Sequence, residues 1–252
     1  MALFMEQLVP SRGGQLWTTA EGDGLPLLLC NGGPGCCDYL EPVAHMLSDI
    51  AHVIRFEQSG CGRSSHTSPY DIATCLADIE NVRTFYGVER WVVGGHSWGS
   101  DLALMYALRH PERVLGIICL AGGRFHNDRE WHRLYDERQK AGQEPLPPFS
   151  YPPNMEVNRQ GNAAWKQYIQ RPTLWKELSQ LDRPALFLYG ADDIRPSWPI
   201  EQVAALMPKA EFHLLEGADH HLWTSQAQAM SGLLRDFVRS LTAGDTSTPA
   251  IT

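Results

Sequence analysis

The 252-residue sequence has no run approaching the ~18 consecutive apolar residues that a membrane span requires, which argues against a membrane partner. It has no basic excess: 21 Lys and Arg stand against 29 Asp and Glu, for a net charge of −8 at pH 7. Without a basic stripe, nucleic acid is excluded as an expected partner. The opening MALFMEQLVPSR lacks a basic segment followed by a long apolar one, so a cytoplasmic location is expected. The six cysteines all fall in the first half of the chain, and with no secretory signature they are read as thiols. No pair of histidines has helical ligand spacing with a carboxylate beside it, so neither a metal nor another cofactor is expected. Internal repeats and low-complexity tracts are missing as well. What remains is 43% hydrophobic residues, ample for one large core.

That core is organised around residues 91–110, WVVGGHSWGSDLALMYALRH. Trp91, Val92 and Val93 read as the end of a buried strand, and apolar Leu102, Met105, Tyr106 and Leu108 read as a helix face. Between them lies Gly95-His96-Ser97-Trp98-Gly99, a G-x-S-x-G in the strand–turn–helix setting that gives the motif meaning. A turn this tight brings neighbouring backbone close on both sides, which calls for glycine at 95 and 99. It holds Ser97 proud of the sheet at the positive end of a helix. The Trp98 N–H then faces the space where an oxyanion would form beside Ser97 Oγ.

The rest of the chain alternates. Residues 5–20 suggest two short strands around Gly13-Gly14, and LPLLLC at 25–30 reads as a strand buried on both faces. A helix is expected over 38–49, a strand over 53–56, a helix over 71–86 and a strand over 114–120. The rhythm stops at residues 124–180, which are polar, aromatic and proline-bearing and read as an inserted helical lid. It resumes with a strand at 185–189, a helix near 199–207, a strand at 211–215 and a last helix over about 223–241. The expected organisation is a core of residues 1–123 and 181–242, a lid of 124–180 and a disordered tail of 243–252. Such alternation predicts an α/β fold with a mostly parallel sheet, its chemistry beyond the carboxyl ends of the strands.

A serine needs a base, and the base a carboxylate to orient it. In the order Ser…Asp…His, the acid follows a late strand and the histidine follows the last one. Asp193 fits the first position, with Asp192 as its rival. His220 fits the second, with His221 as its rival. His96 is read as a structural hydrogen-bonding group. The loop Asn31-Gly32-Gly33-Pro34-Gly35 can offer the Gly33 N–H as a second oxyanion donor.

Together NGGPG, EQSGCGRS, GGHSWGSDLALMYALRHPERV, LFLYGADD and EGADHH resemble the α/β-hydrolase fold, and within it proline iminopeptidases and related peptidases and esterases. The resemblance covers about residues 10–122 and 183–240. It implies Ser97 as nucleophile, Asp193 as acid, His220 as base, and Gly33 and Trp98 as oxyanion donors. It implies hydrolysis of a small ester or amide through an acyl-enzyme. The substrate expected first is a short peptide, as for a proline iminopeptidase-like aminopeptidase. A carboxylesterase or lactonase on a small molecule is the alternative, and a ligand-binding protein on the same fold is a further one. Asn31 replaces the family's leading histidine, and Glu57 and Ser59 replace an Asp and an Arg. The lid gives no convincing match to the glutamates that hold a substrate's amino group in the family; Glu130, Glu137, Glu156 and Glu177 are candidates that the sequence does not rank. Cys36 and Cys37 read as small packing residues, with oxidation sensitivity as the alternative.

Overall fold

The structure, a computed structural model, describes residues 5–142 and 148–245. Eight strands are found among these residues: β1 (Met5–Ser11), β2 (Gly14–Glu21), β3 (Leu25–Cys30), β4 (Ala51–Phe56), β5 (Trp91–His96), β6 (Val114–Leu120), β7 (Ala185–Gly190) and β8 (Ala210–Leu215). They form one sheet in the order β1-β2-β4-β3-β5-β6-β7-β8. The β1–β2 and β2–β4 pairs are antiparallel, and β4–β3 through β7–β8 are all parallel. The central strands β5 and β7 are buried at every residue, as expected where helices cover both faces of a parallel sheet.

Helices α1 (Glu41–His45), α2 (Ile72–Phe85) and α3 (Trp98–Arg109) precede β6. Asp71 caps α2 by accepting the Thr74 N–H at 2.8 Å. The helix expected over 38–49 is shorter than its apolar pattern suggests. Pro42 sits in its first turn, and after His45 the backbone tightens into a three-residue bond from Met46 N–H to Val43 O, 3.2 Å. The expected last helix is two: α8 (Leu222–Ser225) and α9 (Ala227–Asp245), broken at Gln226, whose φ of −124° and ψ of 36° leave helical space. Helix α9 reaches Asp245, inside the stretch expected to be a disordered tail; residues 246–252 lie outside the described residues. Between β7 and β8 comes α7 (Trp198–Leu206), packed against both.

Residues 124–180 sit between β6 and β7 and carry α4 (Arg129–Ala141), α5 (Met155–Tyr168) and α6 (Leu174–Gln180). Their buried Trp131, Val157, Trp165, Leu174 and Leu178 face inward. Of the proline-bearing stretch 144–154, residues 144–147 lie outside the described residues. No helix among the described residues is long and apolar enough to cross a membrane.

Candidate active site

Strand β5 ends at His96 and helix α3 starts at Trp98, leaving Ser97 at the corner with φ 54° and ψ −120°. A serine rarely adopts that conformation, and the surroundings impose it. Ser97 N–H donates to Leu120 O at 2.8 Å, and Ser100 Oγ donates to Gly95 O at 2.7 Å. A Cβ on Gly95 would lie 2.4 Å from the Gly99 carbonyl carbon, and one on Gly99 would lie 2.0 Å from Cys30 O. Only glycine lets strand, corner and helix cross at this spacing.

After β7 the chain presents Asp193, and after β8 it presents His220. Asp193 Oδ2 and His220 Nδ1 are 2.6 Å apart, both side chains buried. Asp193 Oδ1 accepts the Arg195 backbone N–H at 2.9 Å and Arg195 Nη1 at 3.2 Å. Burial alone would raise the Asp193 carboxyl, but His220 and Arg195 outweigh it and hold the group below its ordinary value. Of the two rivals, Asp192 points out to solvent, and His221 instead sits at the start of α8 with its N–H on Asp219 Oδ1, 2.8 Å.

Ser97 Oγ makes no hydrogen bond among the described residues, with His220 or any other group. What joins the corner to the histidine loop is His96. Its ring centroid lies 4.6 Å from that of His220, and its Nε2 is 2.8 Å from His220 O. A carbonyl only accepts, so His96 carries its proton on Nε2. Its Nδ1 then accepts from Tyr39 Oη at 2.7 Å, and Tyr39 Oη in turn accepts the Gly32 N–H at 2.8 Å. Burial, followed by the neighbouring His220 and His221, holds the His96 ring well below an ordinary histidine's pKa, so it is neutral.

Gly33, at φ 124°, stands beside the corner, and its N–H has no acceptor among the described residues. Trp98, as the first residue of α3, has no intrahelical acceptor either. Gly33, Ser97 and Trp98 line one cavity of about 320 Å³, which α4 and α5 wall with Trp131, Tyr135 and Trp165. Helix α5 also grips the glycine loop: Asn158 Nδ2 donates to Pro34 O at 2.9 Å, and Asn154 N–H donates to Gly35 O at 2.9 Å. A larger cavity of about 570 Å³, lined by Tyr39, Arg55, Arg63 and His221, does not include Ser97.

The departures from the family pattern have structural roles. Asn31 Nδ2 donates to Phe56 O at 2.8 Å, tying β3 to β4. Glu57 is buried against Arg63 Nη2 at 2.7 Å and accepts the Asp38 N–H at 3.0 Å. Ser59 N–H donates to Asp78 Oδ2 at 3.0 Å. The Cys36 thiol is pushed up to about 11 by burial and then by Cys37, which keeps it protonated and unreactive at neutral pH. All six cysteines are free thiols.

A family model described as alpha/beta hydrolase fold matches residues 26–144. The solved structure of E-2-(acetamidomethylene)succinate hydrolase superposes with a TM-score of 0.76 at 16% identity, covering 94% of this chain and 100% of that one. The chain has the α/β-hydrolase fold. Within that fold, a proline iminopeptidase of Mycobacterium smegmatis superposes with a TM-score of 0.72 at 18% identity, covering 96% of this chain and 100% of that one. The proline iminopeptidase of Neisseria gonorrhoeae is 41% identical over 102 residues, 38% of this chain and 32% of that protein. The matched stretch thus spans about a third of the length of this curated relative.

Three features of the α/β-hydrolase site were not legible in the sequence. Tyr39 lies on an irregular loop with no periodicity to mark it. Arg195 follows Asp193 by only two residues. Asp101 is one turn along α3 from Ser97, and its Oδ1 accepts the N–H groups of Gly123 and Arg124 at 2.9 and 3.0 Å. That i, i+4 spacing was the available signal. Asp101 keeps a partly exposed edge, yet burial pushes its carboxyl up to about 7 against the opposing pull of Arg124 and the two N–H donors.

Proposed function

We propose that this chain is a serine hydrolase that cleaves a small ester or amide through an acyl-enzyme. The observation that carries the reading is a strained serine beside two free N–H groups, one residue away from a histidine that contacts a buried Asp–His pair. Ser97 Oγ attacks the carbonyl and passes its proton to His220 Nε2. The Asp193 carboxylate holds the other ring nitrogen and steadies the imidazolium. The N–H groups of Gly33 and Trp98 donate to the oxyanion. The leaving group departs with the proton from His220, and water then attacks the acyl-enzyme by the reverse route. The Ser97–His220 hydrogen bond forms in the substrate complex, since such bonds are commonly long in free enzymes. Helices α4 to α6 act as the lid that walls the cavity and keeps water out.

A fluorophosphonate probe tests the reading. It should label wild-type protein at Ser97 and leave Ser97→Ala unlabelled. Folded protein that takes no label would instead be a small-ligand-binding protein on this fold. The similarity to proline iminopeptidases supports an aminopeptidase, acting on a short peptide. A carboxylesterase or lactonase is favoured by a separate observation. Glu130 and Glu137 pair with Arg133, Glu156 with Arg159 and Glu177 with Arg171, and none of the four lines the Ser97 cavity. Cleavage of aminoacyl arylamides against turnover of short-chain esters separates the two.

A further inference from the structure

The serine-hydrolase reading leaves one charged group in the cavity without a role. Arg124 follows the Gly122-Gly123 turn, and Gly122 packs so closely on the corner that a Cβ there would lie 2.2 Å from Ser97 O. The guanidinium is stacked between two indoles, its Cζ 3.7 Å from the Trp131 ring centroid and 4.9 Å from that of Trp165. Stacking holds a planar cation in place but leaves its edge donors free. Arg124 Nη1 is buried with no hydrogen-bond partner, and so is Trp165 Nε1. Arg124, Trp131 and Trp165 all line the Ser97 cavity.

Asp101 attracts this cation through space, but the other charged groups of that cavity leave Arg124 Nη1 without an acceptor. Asp101 spends Oδ1 on two backbone N–H groups and forms no ion pair with Arg124 among the described residues. Arg195 is paired with Asp193. His132 bonds Asn127 Oδ1 at 2.9 Å, and Asp136, exposed at the cavity's edge, forms no ion pair with Arg124 among the described residues. A half-buried guanidinium and an indole N–H, both lacking acceptors next to a nucleophile, constitute a site for an oxyanion carried by the substrate.

Resting on the serine-hydrolase reading, we propose that the substrate bears a carboxylate, accepted by Arg124 and Trp165, at one end and the scissile carbonyl at the other. The cavity of about 320 Å³ is at the small end of ligand pockets and suits a short molecule. The class is therefore a monoester or monoamide of a short dicarboxylic acid such as glutarate.

The test compares monomethyl glutarate, which carries one carboxylate, with dimethyl glutarate, which has the same length and none. Wild-type kcat/KM should favour the monoester by about tenfold or more, the scale of one charge-assisted pair. In Arg124→Gln that ratio should collapse through a higher KM for the monoester. Arg124→Lys should restore part of it, and Trp165→Phe should reduce it while keeping the stacked ring. Equal or better turnover of the diester by wild type, or a ratio that survives Arg124→Gln, overturns the proposal. Calorimetric titration with glutarate and with neutral glutaramide separates this from the parent reading. Glutarate binding that Arg124→Gln weakens about tenfold, in a protein inert toward both esters, keeps the carboxylate site and removes the hydrolase. Glutarate that does not bind wild type removes the site.

Discussion

Replacing Tyr39 by phenylalanine deletes one oxygen and breaks two hydrogen bonds at once. The phenol oxygen accepts the Gly32 N–H at 2.8 Å and donates to His96 Nδ1 at 2.7 Å. Both partners are buried, and neither has a second partner for the freed atom among the described residues. A buried polar group left unpaired costs about 1–3 kcal/mol, so two such groups cost about 2–6 kcal/mol. The ring itself stays, so no packing loss is added. Tyr39 lines the larger cavity, from which water can reach the vacancy. The lower part of the range therefore applies, about 2–3 kcal/mol, or about 4–12 °C in the unfolding midpoint for a chain of this size. Activity should fall too, by about tenfold, because Gly32 precedes Gly33, the proposed oxyanion donor, and His96 holds the His220 carbonyl. Thermal unfolding and ester turnover measure the two effects. Nitrogen NMR of labelled histidine should report His96 as the Nε2–H tautomer in wild type. A midpoint that moves by less than about 1 °C with unchanged turnover would refute the argued link between the glycine loop and the histidine loop.

Other expectations follow from the same geometry. Ser97→Ala should lower kcat by about 10⁴-fold or more while leaving the fold intact, as circular dichroism would show. Asp193→Asn should cost about 10⁴-fold in kcat, because an amide stabilises the wrong imidazole tautomer. Gly99→Ala forces a methyl to within 2.0 Å of Cys30 O and should destabilise by more than about 3 kcal/mol in urea unfolding. Asp101 carries a carboxyl raised to about 7 in the folded chain against 3.8 in the unfolded one, so the folded state binds the extra proton between those values. Its stabilisation is complete below 3.8 and is lost as pH rises through about 7. Asp101→Asn keeps the acceptor oxygen and removes that proton. Wild type should therefore lose stability relative to the variant on going from about pH 5 to about pH 8, by about 2–3 kcal/mol; a flat difference across that range would exclude the raised carboxyl.

The strands were legible because burial on both faces leaves a mark that local sequence carries: LPLLLC, WVV and ALFLY have no polar residue to lose. The serine corner was legible because sterics leave few alternatives to glycine at 95 and 99, and the measured approaches to Gly99 and Cys30 supply the reason. Helix limits were less legible. The apolar pattern of 38–49 ignores that a chain can tighten after one turn, and nothing in the residues around Gln226 marks the break between α8 and α9. The sequence favoured Asp193 over Asp192 and His220 over His221 but kept both rivals, since neighbours in a loop differ only in which way the backbone turns them; the structure brings Asp193 and His220 to 2.6 Å of each other. Tyr39 and Arg124 were illegible for a further reason. Their importance lies in partners 57 residues away for Tyr39 and in rings on two inserted helices for Arg124, and no local pattern encodes such meetings.

These meetings share a logic. Each strand end delivers one group to the same face of the sheet, but strand ends alone leave the delivered loops free to move independently. The chain removes that freedom with neutral, fully bonded links. Gly32 is fixed to Tyr39, Tyr39 to His96, and His96 to the backbone of His220, so the glycine loop, the serine corner and the histidine loop shift only together. Asp101 does the same for the turn after β6, and α5 for Pro34 and Gly35. A neutral imidazole suits the central link, because a charged one, buried between His220 and His221, would raise the cost of the imidazolium that the proposed mechanism forms. Preorganisation of this kind would place the proposed oxyanion donors before substrate arrives. It leaves Arg124, stacked and with Nη1 free of any acceptor, as the cavity's proposed means of telling one acyl group from another.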